Sequence, residues 1–318
     1  MFKTPILFLL FNRPETTQKV FSEIKKQKPQ YLFLAADGPR PDNKEDIEKC
    51  QATRDIVLNG IDWDCEVKTL FRDENLGCGL AVTDAISWFF ENVEQGIILE
   101  DDCLPNPSFF GFCETLLDKY KENQNVFVIS GDNFQNGIKR GKASYYFSNY
   151  SHTWGWASWR RAWIHYDHNL TQLDHFKKSK KINKIDSRSA FGNYWLPKFE
   201  DAKKGDYHHI WDYQWMFAIW NNEGITVLPN VNLISNIGFG NEATHTHGDS
   251  ARADISTNEI GTIIHPPLIQ IHKKADKYTS DVIFKVKRNN GIYNVKLILW
   301  IVLDLIKKVK INLISLFK

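Results

Sequence analysis

Residues 95–110 read QGIILEDDCLPNPSFF. Ile97, Ile98 and Leu99 have the continuous apolar character of a strand end buried on both faces. Glu100, Asp101 and Asp102 follow without a spacer, and Pro105 and Pro107 stop the run before Phe109 and Phe110. Adjacent carboxylates repel and raise one another's pKa unless a cation offsets them. Strand alternation would put Glu100 and Asp102 on one face and turn Asp101 away. A solvated acidic turn is the plain reading. A hard divalent ion, Mg²⁺ or Mn²⁺, held by one or two of these acids with phosphate oxygens and water, is the sharper one.

The flanking sequence favours the second reading. Upstream, PILFLLF (5–11) predicts a buried strand, and Pro14 suits the first turn of a helix whose Val20, Phe21 and Ile24 share a face. YLFLAADGPRP predicts a second strand, DNKEDIEKCQATRDIVLNG a helix ending at Gly60, and CEVKTLFRD a third strand. NLGCGLAVTDAISWFFENV predicts a Gly-rich turn into a helix before the strand GIILEDD. This alternation predicts an α/β fold with a mixed, mainly parallel central sheet. In such sheets ligands bind outside the carboxyl ends of the strands. Arg13, Asp37, Arg72 and the acidic triplet all fall at those ends. Arg13 and Asp37 can grip a nucleoside, although a surface ion pair and a turn explain each singly.

Composition excludes several classes. The chain has 318 residues, 42% hydrophobic and 25% charged, with a net charge of +2, so neither disorder nor a general affinity for nucleic acid is indicated. The five cysteines are odd in number and lack metal-site spacing, which suits reduced thiols in the cytoplasm. Cys103 could be a nucleophile, but a small buried filler is the better reading. The N-terminus reads as a core strand and not a signal peptide. Neither G-x-G-x-x-G after the first strand nor a P-loop is present, which argues against dinucleotide enzymes and P-loop NTPases.

Beyond residue 120 the alternation blurs. NVFVISGDNFQNG predicts a strand and loop, SYYFSNYSHTWGWASWRRAW is aromatic, and 171–190 read as a mobile, Lys-rich surface segment. HHIWDYQWMFAIWNNEG is helix-like, and a Gly-rich loop with His245 and His247 follows a strand. In residues 291–318, Ile298, Leu299, Val302, Leu305 and Ile306 fall on one helical side, while Lys296, Asp304, Lys307 and Lys308 fall on the other. The run Leu297–Leu303 is far shorter than the about 20 residues that span a bilayer. A basic amphipathic helix lying in a membrane surface is the sharper reading, and a terminal helix packed on its own domain or a partner the plainer one.

Taken in order, TPILFLLFNRP, LAADGPR, RDENLGCGLAVTDAISW, GIILEDDCLPNPSFFGF, VFVISGDNFQNG, HTWGWASWRRAW, HIWDYQW and NIGFGNEATHTHG resemble the GT-A glycosyltransferases, within them the N-acetylglucosaminyltransferase I family. The resemblance covers residues 4 to about 248 and is most specific at the triplet. It implies an inverting enzyme that takes a UDP-sugar with Mn²⁺ (or Mg²⁺). It implies Asp102 as the metal ligand. His245 and His247, in their Gly-rich loop, could close over the diphosphate, with His247 reaching the metal, although two His in a polar loop are more often solvated. Glu100 and Asp101 would face the sugar or ribose, and Arg13, Asp37 and Arg72 the uridine. Asp212 would be the catalytic base. Trp154, Trp156 and Trp211 could form the sugar or acceptor wall, with structural packing the equal alternative for each. The motif departs from the family at Asp212-Tyr213, where a second acid is expected and a residue is added before Trp215. The eukaryotic N-terminal anchor is missing too, and the C-terminal helix would serve instead.

The expectation is therefore a catalytic domain over 1–250, a linker or extension over 251–290 and a membrane-associating helix over 291–318. The enzyme would sit in the cytoplasm, peripheral to the inner face of the cell membrane. It would move GlcNAc or a related hexose to a glycan or lipid-linked glycan in bacterial surface polysaccharide synthesis. The alternatives are a metal-dependent sugar nucleotidyltransferase or phosphohydrolase, and a non-catalytic membrane-binding protein.

Overall fold

The computed structural model describes residues 2–205, 210–239 and 255–286. Its strands are β1 Ile6–Leu10, β2 Tyr31–Ala36, β3 Glu66–Phe71, β4 Gln95–Glu100, β5 Cys103–Pro105, β6 Val126–Ser130, β7 Tyr145–Ser148, β8 Trp156–Trp159, β9 Ile225–Pro229 and β10 Ile234–Asn236. The helices are α1 Pro14–Gln27, α2 Lys44–Gly60, α3 Gly77–Asn92, α4 Ser108–Tyr120, α5 Arg160–Trp163, α6 Leu173–Lys178, α7 Ile182–Ile185, α8 Ser189–Lys204, α9 Asp212–Asn221 and α10 Lys273–Tyr278, the last running into a π-helical turn, Thr279–Ile283.

Eight strands form one sheet in the order β3-β2-β1-β4-β8-β6-β9-β7. β1, β2, β3 and β4 pair in parallel, as the strand–helix alternation predicts. β8 then runs antiparallel between β4 and β6, so the sheet is mixed. β1 lies between two strands and under helices on both faces, which is why every residue from Ile6 to Leu10 is buried. Alternation divides it: Leu7 and Leu9 face the layer containing α3 and α9, while Ile6, Phe8 and Leu10 face α1 and α4.

Two expectations need correction. Asp101 and Asp102 do not continue β4. The chain turns there and resumes as β5, which pairs with β10. Strand alternation therefore does not govern the triplet. Residues 171–190 are not a loose surface segment, because Leu173, Phe176 and Ile182 insert from α6 and α7 into the core. Lysines at the intervening positions hide three apolar anchors from a composition count. Residues 255–286, the described part of the stretch expected as a linker or extension, are mostly exposed over 256–270 and pack on the domain from His272 onward. His272 N–H donates to the Phe147 carbonyl at 2.8 Å, and Asp276 accepts from Ser148 Oγ at 2.6 Å. Arg188 bridges Asp186 and Asp281, and the Phe284 ring stacks on Tyr150 at 5.3 Å. Residues 291–318, with their expected amphipathic helix, lie outside the described residues. Among the described ones, no helix is long and apolar enough to cross a membrane.

Candidate active site

The parallel strands deliver their carboxyl ends to one cavity of about 480 Å³. β1 brings Phe11 and Arg13, β2 brings Asp37 and Arg40, β3 brings Arg72, and β4 brings the acidic triplet. The N-terminus of α9 contributes Trp211 and Asp212. Four residue groups far apart in sequence meet here because the order β3-β2-β1-β4 sets their strand ends side by side.

Arg13 organises the acids. It caps α1, with Pro14 next, and its Nη1 lies 2.7 Å from Asp102 Oδ2 and 3.4 Å from Asp101 Oδ1. The Phe11 N–H donates to Asp101 Oδ2 at 3.1 Å. Burial alone would lower the Arg13 pKa, but Asp101 and Asp102 raise it on balance. One guanidinium does not neutralise the cluster. Burial, with Asp102 and Asp101 beside it, pushes the Glu100 carboxyl up to about 8. Burial pushes Asp101 up to about 7 against the pull of Arg13. Asp212 is raised by burial as well, although its own backbone N–H and that of Tyr213 oppose the shift. Asp212 is exposed and lines the cavity.

The donor set fits a hard cation. Five carboxylates, Asp37, Glu100, Asp101, Asp102 and Asp212, line the cavity, and Arg13 is the counter-charge paired with Asp101 and Asp102. Gly238 lies directly against Asp102: a Cβ there would stand 2.7 Å from Asp102 Cβ and overlap its Oδ2. The missing side chain keeps that carboxylate open. Among the described residues no three His, Cys, Asp or Glu side chains form a ready-made metal cage. An ion at Asp102 would therefore complete its shell with ligand oxygens and water, as Mg²⁺ does habitually. His245 and His247 lie outside the described residues.

Other expected residues fall differently. Asp37 lines the cavity, but its carboxylate is saturated. Oδ1 accepts from the Gly38 and Leu76 N–H groups at 2.9 and 3.0 Å, and Oδ2 from Gly77 N–H and Asn75 Nδ2, both at 3.0 Å. Asp37 thus holds the loop between β3 and α3. Arg72 lines the cavity while paired with Asp84. Trp211 lines it, and Trp156 does not. Trp156 is fully buried, stacked on Trp211 at 5.9 Å, because β8 sits in mid-sheet beneath helices. It supports the wall from behind. Cys103 is buried and its pKa is raised well above the ordinary thiol value by burial, so it is a filler. Residues the sequence reading missed are Arg40, Asn75 and Gly238. Arg40 pairs with Asp46 at 2.5 Å and lies over the Phe11 ring at 5.6 Å. Its position just past the second strand end was the available signal.

The acids set a pH dependence. A carboxyl whose folded pKa lies above its unfolded value binds its proton more tightly when folded, so stability falls as pH rises. The window runs from the ordinary carboxyl range of about 4 to about 7 for Asp101 and about 8 for Glu100. The chelator-treated protein should therefore melt at lower temperature at pH 8 than at pH 5, and Glu100→Gln should flatten that slope. A melting series in EDTA checks this, and a midpoint that climbs over the same range would contradict it.

No protein-family model and no curated protein sequence matches the chain. Several solved structures align with it. UDP-glucose pyrophosphorylase complexed with UDP-glucose is 13% identical over 42% of this chain, at a TM-score of 0.24. The chain covers 64% of that enzyme, less than two thirds of its length. Mouse xyloside xylosyltransferase 1 in its apo form is 11% identical over 68% of this chain and 81% of its own, at 0.30. UTP-bound UGPase from Acinetobacter baumannii is 8% identical over 93% and 98%, at 0.34.

Proposed function

We propose that the protein is a metal-dependent inverting glycosyltransferase that uses a UDP-sugar. The observation that carries this is the convergence of three arginines and five carboxylates on one cavity, at the carboxyl ends of β1–β4 and the start of α9. Arg13, Arg40 and Arg72 suit the negative charge of a nucleoside diphosphate. Asp102 would hold the ion, which when bound supplies positive charge against the departing diphosphate. Glu100 and Asp101 face the sugar.

Asp212 is the base. It takes the proton of an acceptor hydroxyl as that oxygen bonds to the anomeric carbon. The bond from that carbon to the diphosphate breaks, and its electron pair leaves with the diphosphate. One attack opposite the leaving group inverts the centre. A raised pKa makes Asp212 a stronger base at neutral pH than an ordinary aspartate. The sugar moved is GlcNAc or a related hexose, and the acceptor is a glycan or lipid-linked glycan of bacterial surface polysaccharide. The basic amphipathic segment 291–318 holds the enzyme on the inner membrane surface, where acceptors of that kind lie.

Calorimetric titration with UDP tests the reading. Wild type should bind UDP in Mn²⁺ and much more weakly without it, and Asp102→Ala should lose the Mn²⁺ effect. Equal UDP affinity with and without metal would remove the metal role. Absence of UDP binding in both conditions would remove the function. Pyrophosphate release from UTP and a sugar phosphate would mark a nucleotidyltransferase in its place.

A further inference from the structure

Residues 263–271, IIHPPLIQI, leave an apolar stretch facing outward from β7, the last strand of the sheet. Two attachments pin it there. Ser144 N–H donates to the Ile264 carbonyl and Ser144 Oγ accepts the Ile264 N–H, both at 2.8 Å. Ile271 bridges to Phe147, and His272 N–H donates to the Phe147 carbonyl. From Ser144 to Phe147 the strand advances about 10 Å, whereas the chain from Ile264 to Ile271 spans about 23 Å when extended. The surplus arches away from the strand. Pro266 and Pro267 stiffen the arch by fixing their own φ and keeping the residue before each out of helical geometry. Ile264, Leu268 and Ile269 are 57%, 69% and 46% exposed. Three of the eight large apolar side chains exposed among the described residues thus fall within six positions of chain, a cluster and not a scatter.

Lysines flank the arch at both attachments. Lys142 comes just before Ser144, and Lys273 and Lys274 follow His272. Lys119, on α4, lies near enough to His265 for its charge, after burial, to lower that imidazole's pKa. All four lysines are exposed, and none is in an ion pair among the described residues. The neighbouring acids are engaged elsewhere: Asp118 pairs with Lys121, and Asp276 accepts from Ser148 and Asn149. Apolar tips beside unpaired ammonium groups suit a boundary that is both apolar and anionic, which is what a phospholipid surface presents. The shape points the same way. A protruding arch with three apolar side chains can enter a soft boundary, but it offers a folded partner far less than the roughly 800 Å² per side of a stable protein interface.

We infer that the 264–274 arch is a membrane-contact element, which sets Leu268 and Ile269 among the headgroups of an anionic lipid surface and Lys273 and Lys274 against their phosphates. The inference goes beyond the transferase reading and stands on this surface alone. It gives the folded domain its own contact, separate from the segment 291–318. A second contact fixes the orientation of the domain, which one contact leaves free to rotate. The arch begins at the level where the cavity opens. Tyr145, next to Ser144, pairs with Pro229 at the carboxyl end of β9. β9 is parallel to β6, and β6 runs in the direction of β4 because each is antiparallel to β8.

Sedimentation of the full chain with lipid vesicles tests this, using phosphatidylcholine alone and phosphatidylcholine with about one third phosphatidylglycerol. Wild type should bind the anionic vesicles more tightly. The double variant Leu268→Glu, Ile269→Glu should weaken that binding by about tenfold or more. The double variant Lys273→Glu, Lys274→Glu should weaken it by a similar factor on anionic vesicles and leave binding to neutral ones unchanged. All four side chains are exposed, so the melting temperature should stay as in wild type. Undiminished vesicle binding by the Leu268, Ile269 variant would overturn the inference, as would an equal loss on both kinds of vesicle in the lysine variant. A lower melting temperature in the Leu268, Ile269 variant would show the patch covered by its own chain, and a lipid-free dimer that this variant dissociates would show it covered by a second copy. Either result would overturn the inference, and so would wild type that binds neither kind of vesicle. UDP titration on the same preparation reads the transferase function separately.

Discussion

Asp212→Asn should reduce sugar transfer by about 10²–10⁴-fold and leave UDP affinity near that of wild type. The substitution keeps shape and removes the lone pair that takes the proton. Asp212 opens α9, and its backbone hydrogen bonds tie it to the helix start, so an amide of equal size can stay in place. Arg13 pairs with Asp101 and Asp102, so the nucleotide side should survive. A secondary effect follows from charge. Asp212 is one of the groups raising the Glu100 pKa, so neutralising it should bring Glu100 down. Single-turnover transfer at saturating donor, with UDP calorimetry on the same preparation, gives both numbers. Transfer at the wild-type rate would show that Asp212 is not the base.

Gly238→Ala should weaken Mn²⁺-dependent UDP binding by about 10–100-fold, the range typical for residues that position metal ligands. The new methyl would overlap Asp102 Oδ2 and stand 2.8 Å from its Cγ. Neither partner can retreat easily. Asp102 accepts from Arg13 at 2.7 Å and from the Cys103 thiol at 3.3 Å, and its carbonyl accepts the Ile237 N–H at 2.8 Å. Gly238 N–H is held by Asn236 Oδ1 at 2.9 Å. The effect should be local, since β10 pairs with β5 just before this point. The decisive comparison is a double-mutant cycle with Asp102→Ala. If Gly238→Ala acts through Asp102, it should cost almost nothing once Asp102 is gone. A full additional loss in the double variant would place its effect elsewhere.

Local order was legible in the sequence because its causes are local. Unbroken apolar runs marked β1 and β4, Pro14 marked the start of α1, and Gly60 ended α2. The alternation of these elements determined a parallel sheet, and so the edge on which Arg13, Asp37, Arg72 and Glu100 meet. Where the pattern is non-local, the same reasoning failed. Trp156 and Trp211 look alike as residues, yet one is fully buried in mid-sheet and the other lines the cavity. Only the insertion of antiparallel β8 between β4 and β6 decides that. The acidic triplet lies in one stretch of chain, but its partner Arg13 is 89 residues from Asp102, and Gly238 comes from beyond β10. Their contacts depend on strand order and on where loops cross, which no residue spacing encodes. A smaller cavity beside Asp212 is tertiary for the same reason: Trp154, Asp212 and Phe284, which line it, come from three separate segments. Chain-local forces set which residues could carry the chemistry, and long-range packing set which of them share a cavity.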